Sequence, residues 1–173
     1  MNYIKALIAV LIAYFCCANA SAEARSLRAG VVVRVTDGDT IWVRTQGSTG
    51  RPLKVRLRNI DAPEICQAGG TEAKAALASL VMNRRIELDA RATDSYDRTI
   101  ADVWVNGQDV SGRLVWLGHA WSYGFRTISG RYAAEQQQAR SSGRGLFAAG
   151  DAIEPRQFRK VHGPCDRPGV KAM

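Results

Sequence analysis

Short runs of β-branched residues near the start of the chain place the strongest constraint on its fold. Residues 31–35 and 41–45 are two such runs, separated by Asp37-Gly38-Asp39, and residues 53–60 alternate apolar and polar side chains. This pattern predicts a three-stranded meander with one buried face. The opposite face of the third strand carries a cationic stripe of Lys54, Arg56 and Arg58.

Helical spacing replaces the strand pattern after Gly70. Thr71 is the expected N-cap, and apolar side chains recur at positions 73, 76, 77, 80 and 81. Two more strands are expected near residues 86–90 and 100–105. A helix is therefore expected to pack on the meander, and the added strands bring the total to five.

Two further helices are expected in the second half of the chain. Asp109 can cap the first, which ends at Gly118, and the other covers residues 131–142. The order of elements predicts an α+β domain over residues 30–149, a five-stranded Greek-key barrel with three helices. Residues 150–173, rich in Pro, Gly and Arg, are interpreted as a C-terminal tail.

The first 22 residues have the pattern of a secretory signal peptide. Lys5 precedes an apolar run over residues 6–17, and small residues suited to cleavage follow at 18–22. The alternative is an uncleaved anchor, but the run is shorter than the roughly 20 residues that span a bilayer. We expect residues 23–29 to lead into the domain, and a periplasmic or secreted protein without stable membrane association.

Cleavage would leave a basic chain with two cysteines. Residues 1–22 contain one Lys and no acid, so the formal charge falls from +8 to +7, which favours anionic partners such as nucleic acid or a membrane surface. Cys66 and Cys165 lack the spacing of a zinc site. In an oxidising compartment they can form a disulfide, and the alternative is two unpaired thiols.

Three motifs carry the chemistry: Asp37-Gly38-Asp39-Thr40, the segment 56–64 (Arg-Leu-Arg-Asn-Ile-Asp-Ala-Pro-Glu) and the segment 94–99 (Asp-Ser-Tyr-Asp-Arg-Thr). Each alone is typical of a turn, a strand end or a surface cation. Together they offer carboxylates for a hard cation and two guanidinium groups for a phosphate. Asp39 and Asp61 with the Ala62 carbonyl have the oxygen atoms that Ca²⁺ prefers.

The remaining charged residues of these motifs suit phosphodiester hydrolysis. Arg56 and Arg98 could grip phosphate oxygens bidentately as charge builds in the transition state. Glu64, three residues beyond Asp61, could accept a proton from an attacking water.

The order and spacing of these motifs resemble the staphylococcal nuclease (thermonuclease) family over about residues 30–149. The resemblance implies an OB-fold barrel, a single Ca²⁺, and cleavage of DNA and RNA that leaves 3′-phosphate ends. It also implies metal ligation by Asp39, Asp61 and the Ala62 carbonyl. The catalytic residues that it implies are Arg56 and Arg98 as phosphate clamps and Glu64 as the general base. The alternative for Glu64 is that it orders water around the metal. We further expect a monomer.

Aromatic side chains are candidates for stacking on a nucleic-acid base. Tyr96 lies in the third motif, and Trp121, Tyr123 and Phe125 follow the second helix, where the family has aromatic groups near the nucleotide. The alternative is that one or two of the last three pack in the core. His119 has no partner spacing and is interpreted as structural or exposed.

Two other functions remain open on the sequence. OB barrels often bind single strands without cleaving them, so the chain could be a non-catalytic nucleic-acid-binding module. It could also be a basic exported protein that binds anionic envelope polymers. Only the nuclease interpretation accounts for the placed carboxylates.

Overall fold

Eight strands and four α-helices make up residues 27–124, 129–163 and 165, the part of the chain that our computed structural model describes. The strands are β1 (Leu27–Val35), β2 (Thr40–Thr45), β3 (Leu53–Leu57), β4 (Ile60–Asp61), β5 (Arg85–Thr93), β6 (Thr99–Val105), β7 (Gln108–Asp109) and β8 (Trp121–Ser122). The helices are α1 (Gly70–Val81), α2 (Val110–Trp116), α3 (Ala133–Ser141) and α4 (Pro155–His162), with a 3₁₀ turn at Gly145–Phe147. The predicted signal peptide and Phe125 lie outside the described residues.

Five strands form a closed barrel in the order β3-β2-β1-β5-β6, and a parallel pairing of β3 with β6 closes it. The register shifts between Val32 and Arg34 in β1 and between Ala90 and Ala92 in β5. Such irregularities bend a strand, which a small closed barrel requires. The predicted α+β class and OB-type barrel are therefore confirmed.

Alternate side chains of the strands fill the barrel, and the helices cover it. The fully buried strand residues are Val32, Ile41, Val43, Val55, Leu57, Ile86, Leu88, Ala101 and Val103. Helix α1 adds Ala73, Leu77 and Val81, and helix α2 adds Val110, Leu114 and Val115. The apolar periodicity of the sequence thus corresponds to the observed core.

Helices α1 and α2 begin with different kinds of N-cap. Asp109 caps α2 as predicted, since its Oδ1 accepts a hydrogen bond from the Gly112 amide at 3.0 Å. The prediction that Thr71 caps α1 was wrong. Gly69 is the N-cap, because its left-handed conformation (φ 82°) turns the chain into the helix, and the Thr71 hydroxyl donates to Glu72 instead.

Both ends of the described chain are more ordered than the sequence indicated. The expected leader, residues 23–29, ends inside β1, because β5 is long enough to pair Leu27 with Asp89. The expected tail, residues 150–173, contains α4, so the described residues form four α-helices and the prediction of three was wrong. Pro155 in the first turn and basic residues in the last are the sequence signals for this helix. Within the described ranges, no helix is long and apolar enough to cross a membrane.

A disulfide joins Cys66 to Cys165, the pair expected from the sequence. Their Cα atoms lie 5.7 Å apart, within the range that a disulfide spans. Cys66 follows β4 and Cys165 follows α4, so the bond ties the C-terminal helix to the loop after β4.

Reducing this bond should lower the free energy of unfolding by up to about 4.7 kcal/mol, because the cysteines are 99 positions apart and the opened loop regains entropy. Urea unfolding with and without reductant measures the loss. A Cys66→Ser/Cys165→Ser variant should be insensitive to reductant. Labelling of both cysteines in denatured, unreduced mature protein would contradict the bond.

Candidate active site

Strand pairing brings the residues of two predicted motifs together. Asp39 immediately precedes β2, and Thr40 at the start of β2 pairs with Arg56 on β3. Asn59, in a left-handed conformation (φ 64°), then turns the chain into β4, where Asp61 pairs with β8. Asn tolerates this conformation better than most residues, so the turn is favoured locally. Asp39 before β2, Arg56 near the end of β3 and Asp61 at the end of β4 therefore lie close together.

Gly38 fixes the position of the first aspartate. A Cβ atom there would lie 2.7 Å from the Cβ atoms of both Ala62 and Ala73, so only glycine lets the turn pack this closely on α1 and the loop after β4. Asp39 is buried as a result, and its Oδ2 accepts a hydrogen bond from the Ala62 amide at 3.1 Å. The Asp39 carboxylate is therefore held in one orientation.

Arg56 lies between the two buried aspartates. Its Nη2 is 3.0 Å from Asp39 Oδ2 and 3.1 Å from Asp61 Oδ1. Its Nη1 donates to the carbonyl oxygens of Leu57 at 2.8 Å and Ile60 at 3.0 Å. The terminal nitrogens of Arg56 thus contact four protein oxygens. Arg56, which the sequence predicts to bind phosphate, also holds the two carboxylates in place.

Arg159 on α4 is a site residue that sequence reasoning missed. Its Nη2 donates to Asp61 Oδ2 at 2.9 Å, and its Nη1 donates to Glu64 Oε1 at 2.8 Å and Asp61 Oδ1 at 3.3 Å. Burial alone would lower the pKa of Arg159, but the bonds and charges of Asp61 and Glu64 outweigh burial and raise it. The signal that could have found Arg159 was the expected disulfide, which brings the C-terminal segment close to Glu64.

Glu64 joins this cluster through Arg159. Its amide donates to Gln67 Oε1 at 3.2 Å, and its side chain keeps 27% of its surface exposed. Among the residues that the structure describes, only Arg159 bonds to the carboxylate of Glu64, and it uses Oε1. Oε2 is therefore open to solvent or substrate.

Arg98 makes contacts that are separate from those of this cluster. It immediately precedes Thr99, which pairs with Val55 at the side of β3. Its Nε donates to Asp94 Oδ2 at 2.8 Å, and its guanidinium lies 5.4 Å from the Tyr96 ring. Burial tends to raise the pKa of Asp94, but the hydrogen bonds that Arg98 and Tyr96 donate to its carboxylate outweigh burial and lower this pKa. Within the described ranges, no contact joins Arg98 to Asp39, Asp61 or Glu64.

The aromatic candidates divide by exposure. Tyr96 and Tyr123 expose 76% and 44% of their surface, whereas Trp121 is buried and packs edge-on against Phe147 at 5.4 Å. Tyr123 and Asp61 line a cavity of about 170 Å³. The two tyrosines are thus accessible to a ligand, and the tryptophan is part of the core.

A larger cavity, of about 470 Å³, lies on the other side of Trp121. Its lining includes His119, Trp121, Phe158 and His162, and excludes Asp39, Asp61 and Glu64. Burial lowers the pKa of His119, although the charge of Glu72 opposes this effect. This cavity is therefore separate from the carboxylate cluster.

The remaining members of the cationic stripe contact other groups. Lys54 lies 5.8 Å from the Trp42 ring, and Arg58 pairs with the buried Asp102 at 3.1 Å. Arg91 and Arg131 also approach Asp102, at 3.6 and 3.4 Å. Arg91 also pairs with Asp89 at 2.6 Å, and Arg131 lies 3.9 Å from Asp109, so these three arginines are matched by three carboxylates.

The site carries excess negative charge. Burial and the charge of Asp39 raise the pKa of Asp37 to about 6. Four carboxylates against two guanidiniums leave two formal negative charges, which a divalent cation would neutralise. The groups counted are Asp37, Asp39, Asp61 and Glu64 with Arg56 and Arg159.

The donor set fits an open metal site. Over the described residues, no three His, Cys, Asp or Glu side chains are grouped closely enough to hold a metal by themselves. Asp39 and Asp61 with a backbone carbonyl would therefore need water or substrate oxygens to complete a Ca²⁺ shell, as Ca²⁺ sites commonly do.

A closed five-stranded barrel with aspartates, arginines and a glutamate gathered at its strand ends defines a barrel-fold phosphodiester hydrolase. The chain belongs to the staphylococcal nuclease family: the family model described as "Staphylococcal nuclease homologue" matches residues 54–149. Family membership confirms the resemblance read from the motifs and the predicted enzyme class.

Three relatives are similar over most of their length. An "Uncharacterized endonuclease" of Haemophilus influenzae is 38% identical over 129 residues, covering 75% of this chain and 71% of its own. "Protein ParB" of Escherichia coli is 39% identical over 142 residues, covering 76% and 78%. A "Micrococcal nuclease" of Shigella flexneri is 32% identical over 143 residues, covering 76% and 80%.

Replacing Arg56 by Lys should lower nuclease activity by at least about two orders of magnitude, because one ammonium cannot replace a fork that contacts four oxygens. Urea unfolding should show a loss of about 1–3 kcal/mol from the unsatisfied acceptors. Arg44→Lys, at an exposed position on β2, is the matched control. Near-normal turnover of Arg56→Lys with an unchanged fold would exclude a catalytic function for Arg56.

Proposed function

We propose that this chain is an exported, Ca²⁺-dependent nuclease that hydrolyses phosphodiester bonds within DNA and RNA and leaves 3′-phosphate ends. The observation that carries the proposal is the buried pair Asp39 and Asp61, bridged by Arg56, with Glu64 held beside Asp61 by Arg159. The names of the H. influenzae and S. flexneri relatives, an endonuclease and a micrococcal nuclease, support it.

Calcium would be held by the oxygens of Asp39, Asp61 and the Ala62 carbonyl. When bound, it would polarise a phosphate oxygen and neutralise charge that develops at phosphorus. The proposal that the metal is Ca²⁺ follows from an all-oxygen donor set with two carboxylates and from the excess negative charge.

Glu64 is proposed to take a proton from the attacking water. Its partial exposure admits water, and its Oε2 has no bonding partner in the described part of the chain. Arg159 holds Oε1, so the carboxylate has a fixed orientation with one oxygen available as a proton acceptor.

Arg98 is proposed to bind the phosphate as charge builds on its oxygens. Only its Nε and backbone amide bond to Asp94, so Nη1 and Nη2 have no hydrogen-bonding partner among the described residues. That edge of the guanidinium is suited to two parallel bonds to a phosphate. Arg56, whose terminal nitrogens contact four protein oxygens, contributes positive charge at the site.

Exposed tyrosines beside the site are proposed to contact nucleotides. Tyr123 lines the cavity that includes Asp61, and Tyr96 lies over Arg98. A base stacked on either ring would contribute roughly 1–3 kcal/mol without strong sequence preference. This fits an enzyme that accepts both DNA and RNA.

The proposals of export and of a monomer have different support. The signal-peptide pattern and the disulfide both favour an oxidising compartment outside the cytoplasm. The monomer rests on the barrel, which buries its own core without a partner. The competing function is a non-catalytic OB-fold module, and the carboxylates of Asp39, Asp61 and Glu64 favour catalysis over it.

Cleavage of plasmid DNA and of RNA by the mature protein should require Ca²⁺ and stop when a chelator is added, because the carboxylate pair needs the cation to bind and polarise phosphate. Gel analysis measures cleavage, and a phosphatase that removes 3′-phosphates identifies the ends. Tight binding without cleavage at any metal concentration would select the non-catalytic module.

Glu64→Gln should abolish most turnover but leave oligonucleotide affinity nearly unchanged, because the amide keeps the shape of the side chain but accepts no proton. Single-turnover cleavage and fluorescence anisotropy separate the two quantities. Glu135→Gln on α3 is the control. An equal loss of rate and of Ca²⁺-dependent oligonucleotide affinity would instead assign Glu64 to the metal.

A further inference from the structure

One edge of the Arg159 guanidinium has no contact with the described residues, and none of the three sequence motifs includes this arginine. Asp61 binds the edge formed by Nη1 and Nη2, and Glu64 takes the other N–H of Nη1. A guanidinium has five N–H donors in a fixed plane, so Nε–H and one N–H of Nη2 remain. No contact of the described residues uses these two donors, and they lie on one edge of the group.

Arg159 is also more accessible than Arg56. The side chain of Arg159 exposes 36% of its surface and that of Arg56 exposes 17%. The terminal nitrogens of Arg56 contact four protein oxygens, whereas Arg159 keeps a complete bidentate edge. Of these two arginines, Arg159 is therefore the better suited to receive a phosphate.

Several contacts hold Arg159 at the site. Its neighbour Phe158 is buried, and the disulfide fixes the chain after α4 to Cys66. Before α4, the Ile153 carbonyl accepts a hydrogen bond from Gln67 Nε2 at 2.7 Å. Both ends of the helix are thus tied to the loop that follows Glu64, so the guanidinium is positioned before any ligand arrives.

The charge of the site gives Arg159 a second function. With Arg159, the cluster carries two formal negative charges, so a divalent cation brings it to zero before the phosphate enters. Without Arg159 the same cluster would remain negative with the cation bound. An anionic phosphodiester would then meet a repulsive site.

We propose that Arg159 is a phosphate-binding residue of the nuclease site, which the C-terminal helix supplies and which contacts the scissile phosphate through Nε–H and Nη2–H. This inference rests on the proposed function, and it adds to Arg98 a second guanidinium that binds the substrate.

The test compares Arg159→Ala and Arg159→Lys with Lys160→Ala, an exposed neighbour on the same helix that also loses one charge. With Ca²⁺, kcat/KM on a short fluorogenic DNA should fall about 100-fold for Arg159→Ala and about tenfold for Arg159→Lys, because one ammonium cannot form two parallel bonds. Lys160→Ala should remain near the wild type.

A second measurement does not depend on turnover. With Ca²⁺ present, titration of a nucleoside 3′,5′-bisphosphate, which contains no diester bond to cleave, should show about tenfold weaker binding for Arg159→Ala than for Lys160→Ala, because a charge-assisted bidentate contact is lost. Equal behaviour of the two variants in both assays would overturn the proposal, and so would faster cleavage by Arg159→Ala. Wild-type protein that binds but never cleaves would refute the proposed function, while the binding comparison still decides the assignment of Arg159.

Discussion

The contact of Arg56 with two buried aspartates is the interaction on which the rest of the site depends. Asp39 and Asp61 contact the same guanidinium, and without it their negative charges would repel each other. Burial would add a desolvation cost to each charge. Arg56 offsets both effects. It can do so because it pairs with Thr40 across β2 and β3. A slip of one residue would turn Arg56 to the opposite face of the sheet, so the strand register and the site chemistry are one constraint.

Most of the barrel could be predicted because its signals are local. Alternation in residues 53–57 and β-branched runs in β1 and β2 define buried faces, and Asp109 is a strong helix cap. The errors at the two ends of the domain share one physical cause, since each depends on a partner distant in sequence. Residues 27–29 are extended because β5 lies beside them, and α4 is stable because Phe158 packs on the domain. The intrinsic strand and helix propensities of these two segments predict neither the extended residues 27–29 nor helix α4.

The site was predictable to the same extent. Asp39, Arg56, Asp61 and Glu64 lie in motifs whose strand pairing brings them together, so sequence order indicates their proximity. The functions assigned to these four residues, to Arg98 and to the two tyrosines remain predictions. Arg159 lies 95 positions from Glu64, in a segment whose composition resembles a linker. Nothing local identifies it, and only a covalent link across that distance relates the two.

That covalent link also orders events in time. Synthesis produces both aspartates, Arg56 and Cys66 before Cys165, which follows Cys66 by 99 positions. The bond cannot form until Cys165 has been made, and thiols oxidise outside the reducing cytoplasm. A nascent or truncated molecule therefore has the acidic residues without the anchored helix. The site with an anchored α4 therefore exists only in the oxidised chain, so maturation of the site is a separate step from synthesis of its residues.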